Sequence, residues 1–172
     1  MEEGQVDLAL LGLGSGQAEA LKAPLTPRPP VLGGVELDLD GSLVEARLDA
    51  ARTTAGWALR LRASATVRGI CVRCLEPAPL VLEIDAREID QRDSDDPELT
   101  SPYVEEELLD VAGWLNDALV LALPDRPLCR PECAGLCEEC GISLNDVGAE
   151  GHSHERPPDP RFAKLRELEG GS

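Results

Sequence analysis

Aromatic residues are scarce in this chain of 172 residues, which contains only Trp57, Tyr103, Trp114 and Phe162. Because hydrophobic residues still make up 42% of the sequence, a packed core is expected, built mainly of Leu, Val and Ala. Long apolar runs are missing as well: none approaches the roughly eighteen residues that a membrane-spanning helix needs. We therefore expect one main domain with a small appended unit and no membrane association.

Basic residues are in deficit, with 16 Lys and Arg against 33 Asp and Glu and a formal net charge of -17. Nucleic-acid binding depends on cations that neutralise phosphates, so this balance argues against a DNA-reading zinc ribbon. A strongly acidic protein instead attracts basic proteins over long range, and we expect a partner of that kind. Residues 47–73 depart from the balance, because their charged residues are arginines apart from Asp49. A small RNA-facing patch on this stretch is a second candidate.

Motifs typical of catalysis are missing. The glycines of LGLGSG at 11–16 lack the following helix and the Lys-Ser/Thr ending of a phosphate-binding loop. No Ser/His/Asp arrangement and no paired-carboxylate pocket can be argued from the sequence. We therefore predict a non-catalytic protein without a small-molecule substrate.

The N-terminal run MEEGQVDLALLGLG does not have the features of a signal peptide. It has no basic segment, and Gly12, Gly14 and Ser15 interrupt its apolar residues. We expect the chain to stay in the cytoplasm. Thiols are kept reduced there, so clustered cysteines favour a metal over disulfides.

Alternating hydrophobicity predicts antiparallel strands. Residues 35–40 alternate apolar and acidic side chains, reach the turn signal Asp40-Gly41, and are followed by a second alternating run at 44–50, which predicts a hairpin. Odd positions over 57–67 are apolar and even ones mostly polar, which predicts a strand buried on one face. The alternation breaks just before the sequence CVRC and resumes at 80–86. The CVRC segment is therefore expected in the connection of a two-stranded unit.

One helix is well supported by the sequence. Apolar residues recur at helical spacing over 111–122, Asp110 is a suitable N-cap, and Pro124 ends the pattern. A short terminal helix is expected to begin at Asp159, with Pro160 in its first position.

These elements predict an α+β fold with a mainly antiparallel β-sheet or partly open barrel, one amphipathic helix and a C-terminal cysteine-rich metal-binding tail. The β-rich domain is placed at 1–126, with a Pro-rich loop at 23–34 and an acidic loop at 90–103. Residues 127–172 are expected to form the tail, a flexible segment and the terminal helix.

Six cysteines fall into two groups. Cysteine thiolates held this close together can bind a metal, and CxxC lets two sulfurs reach one ion from a tight turn. The segment from Pro127 to Leu144 has little apolar area, so metal binding would supply the free energy to order it. We predict one structural zinc ion. The cysteines are Cys71 and Cys74, followed by Cys129, Cys133, Cys137 and Cys140.

The spacing leaves two ligand sets open. The compact set is Cys129, Cys133, Cys137 and Cys140, which is favoured because it needs no long-range contact. The ribbon-like set combines the two CxxC pairs, Cys71 and Cys74 with Cys137 and Cys140. An iron–sulfur cluster and a disulfide framework remain alternatives.

A thiol-disulfide oxidoreductase or redox sensor using Cys71 and Cys74 is the main enzymatic alternative. A redox CxxC normally lies at a helix N-terminus that lowers the thiol pKa, whereas this pair is expected between two strands. His152 and His154 form an HxH sequence in a very polar stretch, where solvated histidines are the expected state.

Several short motifs occur together in a fixed order: CVRCL at 71–75, Leu123-Pro124, PLC at 127–129, the run from Cys133 through GLC at 135–137 to Cys140-Gly141, Leu144-Asn145, and DPRF at 159–162. In this respect the sequence, over roughly residues 35–169, resembles the YceD-like proteins. That family is linked to accumulation of the large-subunit ribosomal RNA in bacteria and plastids.

The resemblance implies a non-catalytic factor for ribosome biogenesis and large-subunit assembly in bacteria. Family members are encoded near a small basic protein of the large ribosomal subunit, which agrees with the acidic charge of this chain. The implied partners are basic ribosomal proteins or a large-subunit precursor. Ribosomal RNA, contacted through the arginine-rich face of the strand at 57–68, is a further candidate.

Overall fold

The computed structural model describes residues 4–91, 94, 96–148 and 151–154. The chain divides into two compact units. The larger unit contains the described residues of 4–72 and 76–129, and the smaller unit those of 73–75 and 130–154. The domain boundary between residues 126 and 127 stays a prediction.

Ten strands and two α-helices occur in the described residues. They are β1 (Gln5–Asp7), β2 (Ala18–Leu25), β3 (Val31–Leu32), β4 (Val35–Glu36), β5 (Asp38–Leu39), β6 (Val44–Arg52), β7 (Gly56–Ile70), β8 (Pro77–Gln91), β9 (Val104–Glu105), β10 (Leu108–Asp110), α1 (Val111–Leu121) and α2 (Leu144–Val147). Short 3-10 turns lie at Ala9–Leu11 and Pro97–Leu99. All strand pairs are antiparallel.

The main sheet of the larger unit is built around the long hairpin of β7 and β8, which pair from Gly56↔Gln91 to Ile70↔Pro77. In β7 the apolar odd positions are buried from Trp57 to Val67, apart from the half-buried Ala63, while most even positions are partly or fully exposed. The strand predicted over 57–67 and the second strand indicated by the alternation at 80–86 are therefore confirmed.

The sheet is open. Its strand order is β2-β6-β7, with β5 and β8 also pairing with β7, and smaller sheets form from β1-β10-β9 and from β3-β4. Helix α1 begins after Asp110, whose carboxylate accepts the Gly113 N–H at 2.9 Å, as predicted for its N-cap. The helix contributes Trp114, Leu115 and Leu119 to the core. The sequence prediction of a mainly antiparallel sheet with one amphipathic helix is confirmed, and the sheets formed by the described residues are open.

The predicted hairpin between 35–40 and 44–50 is wrong. Strand β4 pairs with β3, whereas β5 pairs with β7 through Asp38↔Arg68. Strand β8 covers one edge of β7 along its whole length, so β5 and β6 share the other edge. The Asp40-Gly41 turn therefore leads from β5 to β6 along the same edge of β7. With 15 residues, β7 is long enough to pair with both of these strands.

Two loop predictions were too long. Residues 23–25 belong to β2, where Pro24 is tolerated because β2 lies at an edge of the main sheet within the described residues. Strand β8 extends to Gln91, into the acidic loop predicted at 90–103. The terminal helix predicted from Asp159 lies outside the described residues.

No helix in the described part of the chain is both long enough and apolar enough to cross a membrane.

Candidate metal centre

The first CxxC lies in the connection between β7 and β8, as predicted. The Cys71 N–H donates to the carbonyl oxygen of Glu76 at 2.9 Å, which closes the connection. Leu75 adopts a left-handed conformation with φ 62°, which tightens the turn after Cys74. Both cysteines are buried. The β-hairpin thus presents two buried sulfur donors from one turn.

Cys71 and Cys74 are grouped with Cys129 and Cys133. The four Sγ atoms all lie within 4.8 Å of one another, and three of the four residues are buried. A tetrahedral zinc ion with Zn–S distances of about 2.3 Å requires its sulfurs to lie about 3.8 Å apart. This cluster, called the four-cysteine cluster below, can therefore bind a metal ion.

Hydrogen bonds around Cys133 hold its backbone and sulfur in place. Its N–H donates to the carbonyl oxygen of Arg130 at 3.1 Å, and its own carbonyl oxygen accepts Nη1 of Arg73 at 2.8 Å. Nδ2 of Asn145 donates to Cys133 Sγ at 3.4 Å, while its Oδ1 accepts the Ala134 N–H at 2.8 Å. Such secondary contacts orient a metal-binding sulfur and stabilise its thiolate form.

A second cluster lies in the smaller unit and combines the second CxxC with the two histidines. Cys137 Sγ is 3.2 Å from His154 Nε2, and Cys140 Sγ is 3.2 Å from His152 Nε2. The two Nε2 atoms are 2.9 Å apart, and all four donor atoms lie within 4.8 Å of one another. This cluster, called the Cys2His2 cluster below, can also bind a metal ion.

The second CxxC forms a tight turn. The Cys137 N–H donates to the carbonyl oxygen of Ile142, and the Gly141 N–H donates back to the carbonyl oxygen of Cys137, both at 2.9 Å. Gly141 has φ 71°, a left-handed conformation that glycine adopts without strain. Backbone N–H groups of Cys140 and Glu139, pointing at the sulfur, lower the pKa of the Cys137 thiol to about 7. The turn therefore favours the thiolate, which is the form that binds a metal.

The structure brings neither predicted ligand set together as a whole. The compact set is divided, with Cys129 and Cys133 in one cluster and Cys137 and Cys140 in the other. The ribbon-like set is divided in the same way. Which donors hold a metal stays a prediction.

Sequence reasoning did not assign His152 and His154 to a site. The polarity of their surroundings predicts solvated histidines, but both rings contact cysteine sulfurs. The available signal was the spacing, since the HxH pair 152–154 follows the CxxC pair 137–140 after eleven residues.

The arginine-rich face of β7 is occupied by ion pairs. Both Nε and Nη2 of Arg60 donate to the Asp85 carboxylate at 2.6 Å, and the bond from Arg60 holds the pKa of Asp85 below its usual value. Arg62 pairs with Asp49, and Arg68 pairs with Asp40 at 2.9 Å. These three arginines are therefore paired with carboxylates of the same unit. Contact of this face with ribosomal RNA stays a prediction.

Comparison with known proteins identifies the family. A family model described as "Large ribosomal RNA subunit accumulation protein YceD" matches residues 59–169. The chain belongs to the YceD family. Uncharacterized proteins of Mycobacterium bovis and Mycobacterium tuberculosis are each 34% identical to it over 172 residues, covering 96% of this chain and 81% of theirs. An uncharacterized protein of Mycobacterium leprae is 42% identical over 66 residues, 38% of this chain and 29% of its own. No solved structure matches the chain.

The segment that matches the YceD family contains most of β7 together with β8, α1 and both clusters. Each cluster supplies four sulfur or nitrogen donors, which is the complete shell of a tetrahedral ion. Metal sites of this composition in proteins are usually structural, because no coordination position is left for water or a substrate.

Proposed function

We propose that this protein is a non-catalytic ribosome biogenesis factor that supports accumulation of large-subunit ribosomal RNA and assembly of the large subunit. The observation that carries the proposal is the YceD family match over residues 59–169. The proposed location is the bacterial cytoplasm, where large subunits are assembled.

The proposed partner is a basic ribosomal protein, either free or within a large-subunit precursor. The net charge of -17 supports a basic partner, because opposite charges accelerate association and suppress wrong contacts. The ion pairs of Arg60, Arg62 and Arg68 argue against ribosomal RNA as the ligand of β7. We therefore favour a protein partner over direct RNA contact through this strand.

We propose zinc as the metal of the four-cysteine cluster, in a structural role. Four thiolates suit zinc in a tetrahedral shell, and a closed shell supports folding and not catalysis. The alternative is a thiol-disulfide oxidoreductase or redox sensor using Cys71 and Cys74. The burial of both sulfurs disfavours it, since a redox thiol must be reached by its substrate.

A thiol titration separates the two candidates. If zinc occupies the cluster, the thiols of the native protein react slowly until a chelator is added, and zinc release follows their modification. Rapid reaction of Cys71 or Cys74 in native, metal-loaded protein, together with turnover using a dithiol reductant, would support the redox alternative.

The ribosomal role is tested by deleting the gene and separating ribosomal particles on sucrose gradients. We expect a lower ratio of large to small subunits and less large-subunit ribosomal RNA, both restored by the wild-type gene. Unchanged profiles across growth conditions would contradict the proposal. Copurification with a basic ribosomal protein should also weaken as salt is raised, because salt screens exposed charges.

A further inference from the structure

The Cys2His2 cluster has the geometry of a second metal site. In a tetrahedral zinc site with Zn–S of about 2.3 Å and Zn–N of about 2.0 Å, neighbouring donors lie about 3.3–3.8 Å apart. The Sγ–Nε2 distances of 3.2 Å and the Nε2–Nε2 distance of 2.9 Å are close to that range. The four donor atoms therefore surround a space of the size of one ion.

The orientation of the rings also indicates a cation. Both histidines direct Nε2 at the sulfurs and at each other. Nδ1 of His154 lies 3.5 Å from Oε2 of Glu139, a contact on the far side of the ring that orients Nε2 towards the cluster. At 2.9 Å the two Nε2 atoms are close enough to share a proton or a metal ion. A divalent cation satisfies all four donors at once.

The segment that carries the histidines has little else to hold it. Residues 151–154 are Gly-His-Ser-His and offer no aliphatic side chain to a core. The Gly151 N–H donates to the carbonyl oxygen of Gly148 at 3.2 Å, and within the described residues the other hydrogen bonds of this segment come from the two rings. Metal binding at this cluster would thus supply the free energy that orders the segment.

The two clusters differ in exposure. Cys71, Cys74 and Cys133 are buried, whereas Cys140 and His154 are exposed and Cys137 and His152 are half-buried. Burial restricts the access of chelators and competing ligands to a metal. An ion in the Cys2His2 cluster is therefore expected to exchange faster than an ion in the four-cysteine cluster.

We infer that Cys137, Cys140, His152 and His154 form a second zinc site, which exchanges its ion readily and fastens residues 151–154 to the second CxxC turn. This inference does not depend on a role in ribosome biogenesis. It also differs from the compact ligand set, in which the histidines have no part.

Native mass spectrometry of the full chain, loaded with Zn²⁺ alone, tests the inference. We expect two zinc ions per wild-type chain and one in the double variant His152→Ala/His154→Ala. Ser153→Ala, which changes the residue between the two histidines without removing a donor, should keep both ions. A double histidine variant that binds as many zinc ions as the wild-type chain would overturn the inference.

Cobalt spectra and chelator kinetics add readouts that do not depend on counting ions. Cobalt bound by two sulfurs and two nitrogens absorbs differently from cobalt bound by four sulfurs, so the double histidine variant should lose one component of the wild-type spectrum. Zinc transfer to a coloured chelator should show a fast and a slow phase, with the fast phase missing in that variant. A fast phase that persists in the double histidine variant would contradict a labile site at this cluster.

Discussion

Gly135 lies against the backbone of Arg73, and a Cβ added at Gly135 would be 3.1 Å from the Arg73 carbonyl oxygen. The same oxygen accepts the N–H of Leu136 at 3.2 Å. Gly135 also has φ 81°, where residues other than glycine are strained. These contacts attach the first CxxC turn to the chain between Cys133 and Cys137.

Replacing Gly135 with Ala should therefore weaken metal binding without removing a ligand. The left-handed conformation and the close contact together are expected to cost about 1–3 kcal/mol. The expected result is faster zinc loss to a chelator. Backbone amides in residues 130–148 and 151–154 should also exchange their hydrogens faster than in the wild-type protein.

Gly148→Ala is the matched control for this change. Gly148 also has a positive φ, 77°, but an added Cβ would meet nothing within 4 Å. It should show the conformational cost alone, without a close contact to Arg73. If both variants lose zinc at the same rate, the contact between Gly135 and Arg73 does not support the site.

Gly56 and Gly69 form a second matched pair, at opposite ends of β7. A Cβ at Gly56 would lie 1.9 Å from the carbonyl oxygen of Asp90, whereas the nearest atom at Gly69 is Leu80 Cδ1 at an ordinary 3.6 Å. Gly56→Ala should therefore lower the free energy of unfolding by about 2–4 kcal/mol. Gly69→Ala should change it by less than about 1 kcal/mol. Urea unfolding monitored by tryptophan fluorescence measures both, and equal effects would contradict the close pairing at Gly56.

Tyr103 gives the larger unit a pH dependence at high pH. Burial, followed by the hydrogen bond from its hydroxyl to Asp117 at 2.9 Å, raises its pKa to about 12. Because an unfolded tyrosine has a pKa of about 10, this group stabilises the fold below pH 10, and that contribution is lost as the pH rises towards 12.

The chain has one tyrosine, so tyrosinate absorbance reports on Tyr103 alone. We expect its midpoint to fall towards about 10 in denaturant. Asp117→Asn should lower the midpoint in the folded protein, since the hydroxyl loses a charged acceptor. Tyr103→Phe should remove the loss of stability between pH 10 and 12. A native midpoint equal to that in denaturant would show that burial does not protect this phenol.

Removing the metal should affect the smaller unit first. Residues 130–154 contribute one residue, Cys133, to the buried hydrophobic side chains of the described chain, so chelation is expected to increase their hydrogen exchange. Strands β6 to β8 carry their own core and should remain protected. If hydrogen exchange rises equally in residues 130–154 and in strands β6 to β8, the two regions unfold as a single cooperative unit.

Single serine variants distinguish the ligand sets. Under the grouping seen in the structure, Cys133→Ser and Cys137→Ser each remove one ion and leave the other. The compact set predicts instead that either change abolishes its single zinc site, and that Cys71→Ser has no effect on it. The ribbon-like set predicts zinc loss in Cys71→Ser and Cys137→Ser but not in Cys133→Ser. Zinc content of the three purified variants decides among these outcomes.

The elements that the sequence predicted correctly depend on local information. The alternation of apolar and polar residues from Trp57 to Val67 indicates which face of β7 is buried, because successive side chains of a strand point to opposite faces. Asp110 caps α1 through a hydrogen bond to a residue three positions away. Neither feature needs a distant part of the chain to be known. The motif order likewise identified the family from the sequence.

The tertiary structure decided the contacts that join distant residues. Six cysteines at these spacings allow several four-membered sets, and only the folded chain groups Cys71 and Cys74 with Cys129 and Cys133. It also brings His152 and His154 to the second CxxC, and places Asp85 and Asp49 beside the arginines of β7. Hydrophobic periodicity carries no information about such partners, because it states which side of an element is buried but not what lies opposite. Metal ligation and ion pairing are set by distances of a few ångströms, and those distances exist only after the strands have paired.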